Sequence, residues 1–178
     1  MKIILSLVIL GSLSAFWFAP KEFVCLPCGR ECDGKIYNKG GTCPSCSMDL
    51  VDKSTVSFKN ISADELCGRI TSNPNAIILD VRSPEEFSGS ATDMKTFGHF
   101  KNAININVND LESRAKEIEK YKGKEVLVYC SHAHRSAVAS YFLTTHGFQN
   151  VKNMLGGVST ITPNKSSWLT KSFVAHSD

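Results

Sequence analysis

The stretch EVLVYCSHAHRSAVASYFLTTHG, residues 125–147, decides the fold. After Glu125, five residues form an apolar run that ends at Cys130, and the residues from Ser136 onward favour a helix that Gly147 closes. A buried strand, a short loop and a helix in this order are typical of α/β proteins. In that class, ligands bind at the carboxyl ends of parallel strands. The sequence therefore predicts that Cys130 stands at a functional site.

The flanking sequence continues this alternation of strands and helices. Four further strands are predicted, at residues 55–62, 76–80, 103–108 and 151–155. Helices are predicted after Ser62 and after Ser83, because each serine is followed three residues later by a glutamate in capping-box register. Another helix is predicted over residues 110–121, where Leu111 and Ile118 lie on one face. The predicted fold class is α/β, a parallel sheet flanked by helices.

The residues that follow Cys130 have the chemistry of an anion-binding loop. If the chain curls before the helix begins, its backbone N–H groups point toward the Cys130 sulfur, and the positive end of the helix reinforces them. Both effects favour the thiolate over the thiol, and a thiolate in such a pocket is a nucleophile. Arg135 is predicted to hold an anionic substrate at the edge of the loop, and Ser136 to cap the helix.

Over residues 55–163 the chain resembles the rhodanese family of sulfurtransferases. The segments that carry the resemblance are LDVRSPEEF, GHFKNAININ, VLVYCSHAHRSAVASYFLTTHGF and VKNMLGGVSTI, in the family's order. The resemblance implies that Cys130 takes sulfane sulfur from a thiosulfate-like or persulfide-like donor. The Cys130 persulfide then passes the sulfur to a thiol or another thiophilic acceptor, without a cofactor. The substrate-binding loop that it implies comprises Ser131, His132, Ala133, His134 and Ser136, with Arg135 beside it.

The sequence leaves three alternatives to this interpretation open. Phosphatases of related architecture have one residue more between the cysteine and the arginine than the four between Cys130 and Arg135. The shorter ring favours a single sulfur atom over a phosphate. His132 and His134 could be metal ligands with Cys130, but side chains two apart in a tight loop tend to diverge, and no third ligand is evident. The domain could also be a non-catalytic binding module of an envelope metal-binding or redox protein.

Two features depart from the family's pattern. His132 and Ala133 occupy loop positions where many members have a glycine, and residues 88–98 form a longer link than is usual. Both predict that the rim of the site is remodelled, which bears on the substrate more than on the chemistry.

The charged residues before the second predicted helix are interpreted as scaffolding. Asp80, Arg82 and Glu86 follow a buried strand, where charges have to be paired. Gly156 and Gly157 are predicted to permit a tight turn beside the site.

The segment of residues 21–52 is predicted to be a separate metal-binding module. Its two Cys-x2-Cys knuckles supply Cys25, Cys28, Cys43 and Cys46, a set typical of a four-thiolate zinc ribbon. A module this small has no core of its own, so the metal would supply its folding free energy. GTCPSCSMDLV also resembles the ribbon of bacterial envelope and metal-efflux proteins.

The sequence also allows other uses of these cysteines. Disulfides are the alternative to a metal, because an oxidising compartment allows them. Cys32 is predicted to be a spare thiol and Met48 a packing residue, whereas copper(I) or another soft metal would use both as donors.

The ends of the chain and its charge complete the predicted organisation. Residues 1–20 carry one lysine and then an apolar run, which predicts a signal peptide or membrane anchor and a periplasmic location. Residues 54–165 are predicted to form the rhodanese-like domain, and residues 166–178 a loosely structured tail. The 178-residue chain has a formal net charge of +3 and no block of basic and aromatic residues, so nucleic acid is not predicted as a partner.

Overall fold

The structure, a computed structural model, describes residues 20–161 and 169–176. The predicted signal peptide or anchor lies outside the described residues, except for Pro20. The strands are β1 (Phe23–Cys25), β2 (Ile36–Tyr37), β3 (Gly41–Thr42), β4 (Asp49–Asp52), β5 (Lys59–Ile61), β6 (Ile77–Asp80), β7 (His99–Phe100), β8 (Ile104–Asn105), β9 (Glu125–Tyr129), β10 (Asn150–Met154) and β11 (Phe173–Val174). The helices are α1 (Ala63–Ser72), α2 (Pro84–Ser88), α3 (His134–Thr145) and α4 (Leu169–Ser172).

A five-stranded parallel sheet forms the centre of the fold. Its strand order is β5-β10-β9-β6-β8, and every neighbouring pair runs parallel. All five residues of the middle strand, β9, are buried, which explains why residues 126–129 are apolar without alternation. The predicted α/β class with a parallel sheet flanked by helices is confirmed.

Serine caps start the two helices that follow β5 and β6, as predicted. The Ser62 hydroxyl accepts the backbone N–H of Glu65, and the Glu65 carboxylate accepts the N–H of Ser62. Ser83 and Glu86 form the same capping box at the start of α2. These local exchanges satisfy backbone N–H groups that have no partner inside a helix.

The helix predicted over residues 110–121 is wrong. The chain there forms short 3-10 turns at Val108–Asp110, Ala115–Glu117 and Glu119–Tyr121. At Arg114 and Ile118 the backbone has ψ angles of 6° and −5°, so the α-helical hydrogen bonds do not continue. The apolar pattern still identified the core residues, because Leu111 and Ile118 are buried.

The Cys-rich N-terminal region forms a small antiparallel sheet in the order β2-β1-β4-β3. It packs against the α/β domain, and Leu26 and Met48 belong to the same buried apolar cluster as Val126 of β9. The Thr55 hydroxyl also lies 2.9 Å from the Tyr141 hydroxyl of α3. The region therefore shares a core with the central sheet, whereas the sequence predicted a module without one.

Part of the predicted loose tail is ordered. β11 pairs antiparallel with β7, and the Phe173 ring packs edge-on at 5.1 Å from the Phe100 ring. Phe173 is buried, which explains why the chain returns to the sheet. No helix in residues 20–161 or 169–176 combines the length and the apolar character that crossing a membrane requires.

Candidate active site and metal centre

Cys130 lies directly after β9, at the carboxyl edge of the sheet, and is 1% exposed. A turn behind it holds the start of the loop, because Val158 N–H donates to the Cys130 carbonyl (2.9 Å) and Ser159 N–H to the Ser131 carbonyl (3.0 Å). Gly157 has a positive φ of 63°, and a Cβ there would lie 2.4 Å from the Cys130 carbonyl oxygen. Gly156 has φ 71°, so this pair allows the backbone to approach the cysteine loop closely.

The loop ends in a left-handed residue. Ala133 has φ 70° and ψ −12°, is fully buried, and precedes the first residue of α3, His134. Ser136 lies inside the first helical turn, where its hydroxyl donates to the Ala133 carbonyl (3.2 Å), so its predicted role as the helix cap is wrong. Because the first N–H groups of an α-helix have no partner inside the helix, the start of α3 offers hydrogen-bond donors at the end of the loop.

The left-handed conformation of Ala133 predicts a stabilising substitution. This conformation costs an L-residue about 1–2 kcal/mol, and glycine adopts it freely. We expect Ala133→Gly to raise the free energy of unfolding, measured in urea, by up to about 1 kcal/mol. The gain is smaller than the relieved strain because glycine also increases the conformational entropy of the unfolded chain.

The matched control for this substitution is Ala137→Gly in the same helix. Ala137 is also fully buried, but it has ordinary helical geometry, so glycine there should destabilise by about 1 kcal/mol or more. Equal destabilisation by the two glycines would contradict the importance of the left-handed turn.

The buried carboxylate of Glu86 holds the loop that follows Cys130 through hydrogen bonds. Glu86, which is 2% exposed, accepts two hydrogen bonds from Arg135 (2.5 and 2.7 Å) and one from the Ser131 hydroxyl (2.8 Å). Burial alone would raise the pKa of Glu86, but hydrogen bonds from Arg135, the Ser83 N–H and Ser131 outweigh it and lower the pKa to about 2. The Arg135 charge is thus paired with Glu86. Arg135 also donates to the Ser131 hydroxyl (3.2 Å) and so helps to hold the loop. Its role of holding an anionic substrate at the edge of the loop stays a prediction.

This carboxylate makes stability depend on pH. The folded pKa of about 2 lies below the ordinary 4.5, so the contribution of Glu86 is complete above pH 4.5 and is lost as the pH falls toward 2. We expect Glu86→Gln to lower the free energy of unfolding at pH 7 by about 2–3 kcal/mol, because Arg135 loses its partner. In urea denaturation, this difference from the wild type should shrink below pH 4.5.

Glu85→Gln is the control for the pH measurement, since Glu85 is exposed on the same helix and its loss should change stability by less than about 0.5 kcal/mol. If Glu86→Gln and Glu85→Gln gave the same stability between pH 2 and pH 7, the buried pair would not support the loop.

A second buried ion pair fixes the segment of residues 88–98. Asp80 and Arg82 are both fully buried, and Arg82 donates to both Asp80 carboxylate oxygens at 2.6 to 3.1 Å. Two further N–H groups of Arg82 donate to the carbonyls of Thr96 (2.7 Å) and Gly98 (2.8 Å). The longer link is thereby tied to the end of β6.

The two loop histidines diverge and contact different parts of the chain. His132 is exposed and packs edge-on against Phe97 of residues 88–98, with ring centroids 5.8 Å apart. His134 lies near Arg30 of the Cys-rich region; burial lowers the pKa of His134 and the positive charge of Arg30 adds to the effect. In the described part of the chain, neither histidine belongs to a group of three or more potential metal ligands.

Sequence reasoning missed Phe97 and Arg30 as rim residues. Both are distant from Cys130 in sequence, and the length of residues 88–98 was the only signal that an extra segment reaches the site.

Four cysteines of the N-terminal region bring their sulfur atoms together. The Sγ atoms of Cys25, Cys32, Cys43 and Cys46 all lie within 4.8 Å of one another, and those of Cys25 and Cys46 are 3.1 Å apart. Zinc held tetrahedrally at about 2.3 Å from each thiolate places the sulfurs about 3.8 Å apart, so the four residues fit a zinc ion. None of the seven cysteines, all of which lie in the described residues, forms a disulfide.

The Cys43 thiol loses its proton more readily than an ordinary cysteine thiol. Burial alone would raise the pKa of Cys43, but the backbone N–H groups of Ser45 and Cys46 and the neighbouring thiols lower it to about 6. The cluster differs from the predicted set at one position, because the structure places Cys32 in the group and Cys28 outside it.

Comparisons with known proteins concern the α/β domain that contains Cys130. Residues 62–162 match the Rhodanese-like domain family. A tRNA uridine(34) hydroxylase of Cytophaga hutchinsonii is 37% identical over 115 residues, covering 63% of this chain and 34% of that protein. The Candida albicans protein "Adenylyltransferase and sulfurtransferase UBA4" is 25% identical over 185 residues, covering 89% of this chain and 36% of that protein. This chain thus spans about a third of the length of these relatives.

A solved structure shows the same fold. Reduced Bacillus anthracis CoADR-RHD superposes with a TM-score of 0.50 at 24% identity, over 66% of this chain and 18% of that chain.

Proposed function

Because this chain belongs to the rhodanese-like domain family, we propose that it is a sulfurtransferase whose nucleophile is Cys130. The observation that carries the proposal is the position of Cys130, at the carboxyl end of the middle strand and just before the loop that leads into α3. A nucleophilic cysteine needs a positive microenvironment, and the start of a helix supplies one.

The first step of the proposed reaction loads sulfur onto Cys130. The Cys130 thiolate attacks the sulfane sulfur of thiosulfate or of an organic persulfide. A new S–S bond forms, the S–S bond of the donor breaks, and sulfite or a thiolate leaves with the electron pair. The terminal sulfur of the Cys130 persulfide then carries the negative charge, which the backbone N–H groups of Ser131 to Arg135 would stabilise.

The second step returns the enzyme to its starting state. A thiolate or another thiophilic acceptor attacks the terminal sulfur, and the S–S bond to Cys130 breaks with its electron pair returning to the cysteine. No electrons are gained or lost by the protein over the cycle, so the reaction needs no cofactor. The Glu86–Arg135–Ser131 network supports this cycle by keeping the loop in one conformation while the charge moves from one sulfur to the next.

The steady-state kinetics of the full chain test the proposal. With thiosulfate as donor and cyanide as acceptor, we expect thiocyanate to form by ping-pong kinetics, since the donor product leaves before the acceptor reacts. Hydrolysis of p-nitrophenyl phosphate without any thiocyanate formation would instead assign the loop to phosphate chemistry.

We also propose that the Cys-rich region holds a zinc ion in a structural role. The support is the cluster of four sulfurs, a donor set that leaves no coordination position open for a substrate. When bound, the metal would join β1, the turn that follows it and the β3–β4 hairpin, and would add folding free energy to a region with few residues.

A further inference from the structure

We infer that the metal ligands are Cys25, Cys32, Cys43 and Cys46, and that Cys28 is not a ligand although it belongs to the first Cys-x2-Cys knuckle. The inference rests on the proposal that the Cys-rich region binds a metal, and it states which sulfurs do so. It differs from the set that spacing alone predicts.

The second knuckle is built to present two sulfurs. Cys43 and Cys46 lie in the hairpin between β3 and β4, where Cys43 N–H donates to the Met48 carbonyl (2.8 Å) and Ser47 N–H to the Cys43 carbonyl (2.9 Å). The Tyr37 hydroxyl lies 3.9 Å from the Cys43 sulfur on the side of β2. Cys25, the last residue of β1, brings its sulfur within 3.1 Å of Cys46.

The fourth sulfur comes from Cys32 because of the turn that precedes it. Asp33 N–H donates to the Arg30 carbonyl (2.9 Å), and Lys35 N–H donates to the Cys32 carbonyl (3.2 Å). These bonds curl the chain so that Cys32, with no exposed surface, joins the other three sulfurs within 4.8 Å.

The same turn directs Cys28 elsewhere. The Asp33 carboxylate accepts the N–H groups of Cys28 (3.1 Å) and Gly29 (2.7 Å), and the Cys28 sulfur lies 3.9 Å from an oxygen of that carboxylate. The Cys28 sulfur therefore faces an anionic side chain. That carboxylate is held in place by its hydrogen bonds to the N–H groups of Cys28 and Gly29.

Cys28 lies where the Cys-rich region contacts the domain. The neighbouring Pro27 carbonyl accepts the Asn60 side chain (3.2 Å), and a Cβ at Gly29 would lie 3.2 Å from the Leu155 side chain. Asn60 is in β5 and Leu155 follows β10, so this turn packs on the carboxyl edge of the sheet beside the cysteine loop. Residues 26–31 make this contact, and metal binding at Cys25 and Cys32 would fix the position of both ends of this segment.

Metal content and cobalt spectra of the full chain test the assignment. Wild type, Cys28→Ser and Cys32→Ser would be produced with zinc and purified without chelator, and zinc per chain and affinity would be measured by chelator competition. Cobalt(II) would then replace zinc, because its absorption reports how many thiolates bind it. Circular dichroism would check that each variant is folded.

We expect Cys28→Ser to keep one zinc per chain and the cobalt spectrum of the wild type. Cys32→Ser should weaken zinc binding by more than the loss of about 10–100-fold that follows when a residue next to a metal ligand, and not the ligand itself, is replaced. If Cys32→Ser does not fold, the spectrum of Cys28→Ser still decides the assignment.

Three results would overturn the assignment: zinc loss in Cys28→Ser with retention in Cys32→Ser, loss in both, or retention in both. A wild-type chain without any metal would defeat the metal proposal itself, and it would leave the sulfur-transfer proposal untouched.

Discussion

Replacing Cys130 with serine is expected to lower the rate of thiocyanate formation from thiosulfate and cyanide by at least about 10³-fold, which corresponds to about 4 kcal/mol of activation free energy. The serine hydroxyl is not ionised near neutral pH, and it does not form the S–S bond on which the proposed cycle depends. The variant should remain folded, because serine and cysteine have nearly the same shape. The measurement is the initial rate at saturating thiosulfate.

Cys67→Ser is the matched control for that variant. Cys67 is also buried, and burial, with a smaller effect of Asp64, raises the pKa of its thiol to about 12, so it remains protonated. Its replacement should leave the rate within about two-fold of the wild type, although it can cost some stability. A Cys130→Ser variant with wild-type turnover, or a Cys67→Ser variant without turnover, would contradict the assignment of the nucleophile.

Arg82→Met is expected to lower the free energy of unfolding by about 3–5 kcal/mol, the largest stability effect that we predict. Methionine fills much of the same volume, but it leaves the Asp80 carboxylate buried without its partner. The carbonyls of Thr96 and Gly98 also lose their donors. The segment of residues 88–98 should therefore detach more often, which limited trypsin digestion would detect as faster cleavage after Lys95.

Arg114→Met provides the comparison for this effect. Arg114 makes an ion pair with Glu117 at 2.7 Å, but its side chain is 41% exposed, and such pairs contribute about 0.2–1 kcal/mol. Urea denaturation of both variants should therefore show a several-fold difference in lost stability. Equal losses would mean that the Asp80–Arg82 pair does not anchor the segment.

The parts of the fold that depend on local sequence could be predicted. The capping boxes at Ser62 and Ser83 form between residues three apart, so the sequence contains all their partners. The buried strand before Cys130 could also be predicted, because residues 126–129 are all apolar and do not alternate with polar residues. The periodic pattern at Leu111 and Ile118 identified buried residues correctly, but the same pattern fits 3-10 turns as well as an α-helix.

The features that depend on distant contacts could not be predicted. Glu86 and Arg135 are 49 residues apart, so the sequence did not show that the arginine would be neutralised by a carboxylate. β11 joins β7 through Phe173 and Phe100, a pairing that a two-residue strand does not reveal on its own. The Cys-x2-Cys spacing favoured Cys28 over Cys32 as a metal ligand. The sequence did not show the contacts of Asp33 that direct Cys28 away from the other sulfurs.

The most direct test of sulfur transfer through Cys130 is the mass of the intact protein after treatment with thiosulfate and removal of excess donor. We expect one added sulfur atom per chain, located by peptide mapping at Cys130 and removed by cyanide. The sulfur should be absent from Cys130→Ser and present on Cys67→Ser. A wild-type chain that gains no sulfur, or that gains it equally in Cys130→Ser, would contradict the proposal that Cys130 carries the transferred sulfur.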